Sequence, residues 1–226
     1  MRAWPTTAEE LIREQEELAR ANPPLWGATG EFAVGGCFVC FARGKTGAGE
    51  AGDPGWAGAA LLRGDRIGAS AVFAGEAGAA YVAGLLALRE GPLLEAAVRA
   101  LARKPDVLLV NATGRDHPRR AGLALHLGTV LDVPTVGVTH RLLVAVGEWP
   151  TDERGATSSF QLEGEPVGYW LRTRRGTRPL AVHAAWRTDA ETAVGVVEAI
   201  LGTMRTPEPL REARRLARTA RAGVPL

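Results

Sequence analysis

From residue 92 to residue 139 the chain twice sets a helical run before a short, apolar segment, and this alternation restricts the fold more than any other feature of the sequence. Residues 92–103 have helical periodicity, and residues 106–111 (DVLLVN) read as a short buried strand. Residues 120–131 are helical again, and residues 135–139 (TVGVT) form a second buried strand. Strands linked through helices in this way pair in parallel, because the crossover returns the chain to the same edge of the sheet.

The segment before this alternation follows a different rule. Residues 32–42 form a near-continuous apolar run with two glycines, as a buried strand does. Strands at residues 57–62 and 66–73 flank the turn Arg63-Gly64-Asp65, so three consecutive strands make an antiparallel meander. Residues 7–21 are helical, with Thr7 and Glu10 in capping-box spacing and Pro23-Pro24 ending the run. Later come a hairpin of residues 167–172 with 180–184, a helix to Leu201 capped by Asp189, and a basic, polar-faced helix over residues 208–221. A meander that passes into parallel strand–helix units is the layout of the ribonuclease H-like fold, a mixed α/β sheet with flanking helices. With 226 residues, 46% of them hydrophobic, the chain can bury such a core as a single domain. Its centre is expected at about residues 30–205, with the terminal helices packed on it.

Charge and cysteine usage remove several classes of function. The formal net charge is only +2, so basicity is local, at residues 115–120, 172–178 and 211–221. No apolar run of signal-peptide type opens the chain, and no stretch of about 18 apolar residues could span a membrane, which points to a cytoplasmic protein. Cys37 and Cys40 form a lone CxxC in an apolar strand, where residues i and i+3 face opposite ways, so they read as buried, inert thiols. Gly44-Lys45-Thr46 ends like a phosphate loop, but Val39 stands where the first glycine is required; a surface loop is expected.

The candidate chemistry gathers between Tyr81 and His140. Glu90 precedes Gly91-Pro92 at the expected start of a helix, where the macrodipole favours an acid. His117-Pro118-Arg119-Arg120 places two arginines where Arg120 is expected to begin a helix, which suits either a phosphate or an exposed basic turn. Tyr81 and Gly84 fall in a short turn between meander and helix, so the ring either stacks on a base or packs inward. His117, His126 and His140 could together serve a transition metal, or each could be satisfied separately.

YVAGLLALREGPLL followed by KPDVLLVNATGRDHPRRAGLALHLGTVLDVPTVGVTH resembles the endonuclease V family over about residues 30–205, most specifically in the HPRR turn and the G-x-x-x-H-x-G run from Gly122 to Gly128. The resemblance implies a ribonuclease H-like fold and Mg²⁺-dependent cleavage near deoxyinosine in DNA or inosine in RNA, a DNA-repair activity. It also implies a first-strand aspartate, a glutamate after an aromatic wedge, a second aspartate and an assisting histidine, because Mg²⁺ needs hard anionic oxygens. Here the glutamate matches Glu90, but the first aspartate falls on Phe38, the second on Asn111, and the histidine on Trp186. The lysine that usually ends the GVxK strand is His140. His183 stands three residues from Trp186. Tyr81, Gly84, Gly114, His117, Arg119 and Arg120 remain as the surface for a substrate.

The expectation is therefore a degenerate homologue, a pseudoenzyme that binds single-stranded or inosine-containing nucleic acid without cutting it and requires no cofactor. Two alternatives stand beside it. One is a Mg²⁺- or Mn²⁺-dependent endonuclease with rearranged ligands, Glu90, Asn111 and Asp116 with His140 as a further candidate. The other is a groove repurposed for a different ligand or a protein partner.

Overall fold

The strand Val34–Phe41 (β1) lies between two neighbours of opposite sense, antiparallel to Pro54–Arg63 (β2) and parallel to Val107–Val110 (β4). The structure, a computed structural model, describes residues 3–42 and 48–223; Gly44-Lys45-Thr46 lies outside the described residues. Arg66–Glu76 (β3) completes the expected meander, turning at Gly64, whose φ of 58° needs the conformational freedom of glycine. Thr135–Thr139 (β5) pairs in parallel with β4. Beyond it the sheet reverses direction, with Leu180–Ala184 (β8), Glu165–Leu171 (β7) and Thr157–Leu162 (β6) each antiparallel to its neighbour. The order across the sheet is β3-β2-β1-β4-β5-β8-β7-β6.

Helices cover both faces. Ala8–Arg20 (α1), Leu86–Arg99 (α2) and Leu123–Leu131 (α3) pack on one side, around Leu11, Leu94, Leu108, Leu125 and Leu127. Ala190–Ala199 (α4) and Glu208–Arg221 (α5) cover the other, around Val34, Leu109, Val182, Val197 and Leu210. The Thr7–Glu10 capping box forms in both directions, and the Asp189 carboxylate accepts from the Thr192 backbone at 2.8 Å. Among the described residues no helix is long and apolar enough to cross a membrane.

The seat of α5 decides what the site will contain. A Cβ on Gly36 would lie 2.4 Å from the backbone of Pro209, and one on Gly58 would lie 2.3 Å from the carbonyl oxygen of Ala213. Two strand glycines therefore let the helix backbone rest almost directly on β1 and β2.

Three expectations change. The second helix begins at Leu86 rather than residue 92, so Glu90 is inside it and Pro92 is an interior residue. Pro92 has no N–H for the Leu88 carbonyl, and that oxygen instead faces Gly78, where a Cβ would lie 2.4 Å away. Next, α3 starts at Leu123, because Arg120 has a φ of 51° and cannot continue into a right-handed helix. The strand β6 was not anticipated: in TSSFQL only Phe160 is buried, which gives no alternating apolar signal.

Candidate nucleic-acid cleft

Parallel pairing of β1 with β4 sets Cys37 opposite Val110, so Phe38, still within β1, lies beside Asn111, the residue that follows the end of β4. From above, α2 adds Glu90. The three line a cleft of about 130 Å³ together with Cys37, Val39 and Leu94. Phe38 and Cys37 leave the strand on opposite faces. Phe38 turns toward α5, where the guanidinium of Arg214 lies 5.0 Å and that of Arg218 5.9 Å from its ring centroid. Cys37 faces inward, and burial pushes its thiol well above the ordinary range, helped by the nearby Glu90 charge. Both cysteines are unbridged and buried.

Asn111 is held from two directions. Its amide nitrogen donates to the Val138 carbonyl at 3.3 Å, and its oxygen accepts from Nη2 of Arg214 at 3.3 Å. The cleft walls keep water from the Glu90 carboxyl, raising its pKa from 4.5 to about 7, with Arg89 opposing the shift only in part. Arg89 itself pairs with Asp53 at 2.9 Å.

These residues do not fit a divalent cation of the Mg²⁺ type. Such an ion needs several hard oxygens in near-octahedral array. The cleft offers a single carboxyl, one amide oxygen already accepting from a guanidinium, and an aromatic ring. Among the described residues no group of three histidines, cysteines or acids is placed to hold a metal.

The other candidates lie elsewhere. Asp116 is fully buried and accepts backbone N–H bonds from Leu143, Val144 and Ala145 at 2.8, 2.9 and 2.8 Å, so it anchors the loop after β5 rather than joining Glu90. Beside it His183, also fully buried, contacts the Thr139 hydroxyl at 2.8 Å, and burial lowers its pKa to about 4 against the opposing pull of Asp116. Trp186 sits at the opposite end of the sheet from Asn111. Because β8 runs antiparallel to β5, Trp186 meets the start of that strand: its backbone N–H donates to the Thr135 hydroxyl at 3.1 Å, and its carbonyl accepts from the Thr135 N–H at 2.9 Å. The residue that reaches Phe38 and Asn111 from the C-terminal part is Arg214. His140 follows β5 at the Asn111 end, where burial and the charges of Arg205 and Arg214 lower its pKa. His126 is remote, stacked on Trp4 at 4.8 Å and 3.0 Å from Glu14, so the three histidines do not converge.

A second cleft, of about 190 Å³, opens beside the first. Tyr81, Gly84, Ala112, Thr113, His117 and Leu143 are among the residues that line it. The Gly84 carbonyl is its hub: Arg119 donates at 2.9 Å, Gln15 at 3.1 Å, and Nε2 of His117 lies 3.2 Å away. Arg119 also donates to the Gln15 amide oxygen at 2.6 Å. Burial, followed by the Arg119 charge, lowers the His117 pKa to about 4, so the ring is neutral near neutral pH. Tyr81 and Val82 stand 47% and 50% exposed at the rim, which leaves an aromatic face open to solvent.

Gly114 and Arg120 do not join this cleft. A Cβ on Gly114 would lie 2.0 Å from the Ala184 carbonyl oxygen, so this glycine closes the turn against β8. Arg120 turns toward the β6–β7 hairpin, where it pairs with Glu163 at 2.8 Å and with Glu165.

Comparison with known proteins agrees with this architecture. Residues 46–215 match the endonuclease V family; Arg214 lies inside that segment and β1, with Phe38, before it. An endonuclease V from Roseiflexus sp. is 43% identical over 137 residues, 61% of this chain and 62% of that protein, so the matched segment spans less than two thirds of the relative's length. The structure of endonuclease V from Streptomyces avermitilis superposes with a TM-score of 0.83 at 33% identity, covering 98% of this chain and 96% of that one. The Ciona intestinalis endonuclease V, solved in complex with a 24mer DNA containing an inosine followed by a ribo-adenosine, shares the fold at a TM-score of 0.75 and 21% identity. The sheet is that of the ribonuclease H-like fold, and the chain belongs to the endonuclease V family.

Proposed function

We propose that this protein binds nucleic acid, single-stranded or inosine-containing, without the metal-dependent cleavage typical of the endonuclease V family. The observation that carries the reading is the hydrogen bond of 3.3 Å from Arg214 to the Asn111 oxygen. A guanidinium stands where a divalent cation would have to approach, and like charges repel.

Support for binding comes from the second cleft. It is a concave, partly apolar space with a neutral imidazole at its wall, backbone groups at its base, and a solvent-facing tyrosine at its rim. An extruded base offers a flat ring and polar edges, and such a space receives both. The exposed Tyr81 ring is available to stack on a neighbouring base, which contributes about 1–3 kcal/mol per base. The resemblance of the HPRR turn to the family supports inosine as the base to test first.

The rearranged-ligand alternative loses support because Asp116 is committed to three backbone N–H groups. The test uses labelled inosine-containing DNA and RNA with Mg²⁺ or Mn²⁺, with Glu90→Ala as control. Binding without cleavage is expected, weakened about tenfold by Tyr81→Ala. Cleavage that the control abolishes would overturn the reading, and absence of binding would point to a repurposed groove.

A further inference from the structure

We propose that Arg214 and Arg218 of α5, with Arg205 and His140 alongside, form a metal-free phosphodiester site in place of a metal centre, holding the strand next to the bound base. The inference rests on the nucleic-acid-binding reading above and names the group by which the strand is held.

The charges on α5 are not alike. Arg211 pairs with Glu208 and Arg215 with Glu212, three residues apart on the helix, so those guanidinium groups are neutralised locally. Arg214 and Arg218, on the face toward β1, have no carboxylate partner among the described residues. Arg214 meets the neutral Asn111 oxygen, and its Nε is buried without a hydrogen-bond partner. Arg205, in the segment before α5, donates to the carbonyls of Arg178 and Pro179, at 2.7 and 3.1 Å, and has no carboxylate partner among the described residues.

These side chains lie within electrostatic reach of one another. Arg218 lowers the Arg214 pKa, Arg214 and Arg178 lower that of Arg205, and Arg205 and Arg214 lower that of His140, with burial as the first cause for each of the three. Mutual repulsion of this kind is relieved by an anion. A guanidinium presents a planar fork of donors to two phosphate oxygens, and stacking on the Phe38 ring fixes its plane in advance. The ring in the first-strand position thus serves as a platform for a cation. Glu90 is the one acid beside Phe38 in the cleft, and its raised pKa limits the negative charge it would present to a phosphate.

Position ties this cluster to the base cleft. Asn111 lines the first cleft, and the next residues, Ala112 and Thr113, line the second. Thr139 lines the second cleft, while His140 faces the cations. A strand with one base beside Tyr81 would carry its backbone over the end of β4 to Arg214.

The experiment measures anisotropy of a labelled single-stranded oligonucleotide containing one inosine, across a range of salt, in EDTA and in Mg²⁺. The wild-type chain is expected to bind equally in both. Arg214→Ala should weaken binding about tenfold and lower the salt slope by about one, with Arg214→Lys intermediate and exposed Arg218→Ala acting in the same direction. Thermal melts of each variant show that the fold is retained. Inorganic phosphate should compete with the strand only at high concentration, since it lacks the base contact. Strand binding that both alanine variants leave unchanged, or that requires Mg²⁺, overturns this inference alone. Absence of strand binding by the wild-type chain, whether or not inorganic phosphate binds, overturns it together with the nucleic-acid reading.

Discussion

Arg119 donates to the carbonyl oxygen of Gly84 at 2.9 Å, so the third residue of the HPRR turn is a strut for the aromatic loop and not a free cation. The same guanidinium holds Gln15 on α1 at 2.6 Å, which links three separate segments through one side chain. Arg119→Ala is expected to cost about 2 kcal/mol of stability, in the range of charged hydrogen bonds, and to loosen the loop that carries Tyr81. Urea denaturation measures the first effect. Faster hydrogen exchange at residues 81–85 would report the second, and unchanged exchange there would refute the strut.

Asp116 offers a sharper contrast between a structural and a catalytic carboxylate. The carboxylate is fully buried and accepts from residues 143–145, the Ala145 bond wholly buried and the other two partly so, and Asp116→Ala leaves those three donors without their acceptor. A loss of about 3 kcal/mol is expected, read as a lower urea midpoint, with the same value in EDTA and in Mg²⁺. A melting temperature that rises on addition of Mg²⁺ and ceases to do so in the variant would contradict this assignment.

Glu90 predicts a pH dependence with a definite sign. Its folded pKa of about 7 exceeds the reference value of 4.5, so the folded chain binds a proton more tightly than the unfolded one. The corresponding stability is fully present below pH 4.5 and is lost as the pH rises through 7. Glu90→Gln removes this dependence. Relative to the wild type it should gain on the order of 2–3 kcal/mol between acid and mildly alkaline pH, as measured by denaturation at each pH. A constant difference between the two proteins would place the Glu90 carboxyl in water.

Asn111→Asp tests the site by restoring a carboxylate. The new charge would face Arg214 across the present 3.3 Å hydrogen bond and neutralise it. The expected result is about tenfold weaker strand binding, with no gain of Mg²⁺-dependent cleavage. Anisotropy and a nicking assay on the same sample separate the two outcomes, and recovered cleavage would show that one carboxylate suffices.

The parts of this architecture legible in the sequence are those set by local rules. Thr7 and Glu10 announce a helix start through the capping box, Arg63-Gly64-Asp65 announces a hairpin, and VLLV announces a buried strand. The resemblance assigns Phe38, Glu90 and Asn111 to one site, and all three are among the residues that line the first cleft. What stayed hidden depends on tertiary geometry. Arg120 resembles a helix-opening phosphate ligand, but its positive φ and two glutamates on a distant hairpin direct it elsewhere. Trp186 fell to the wrong end of the sheet because strand direction, not residue spacing, determines where β8 ends. Arg214 was one arginine among several on a basic helix, and only the height of α5 above the sheet distinguishes it.

That height comes from Gly36 and Gly58, and it has a consequence for how such a site is built. The helix is docked by main chain against main chain, so its placement does not depend on the side chains it carries at the cleft. Residue 214 is not part of either close approach, so its side chain is not what seats the helix on the strands below. The seat of the helix and the chemistry it brings to the cleft are thus set by different residues: a side chain at Gly36 or Gly58 would meet the helix backbone, whereas the guanidinium of Arg214 belongs to the cleft alone.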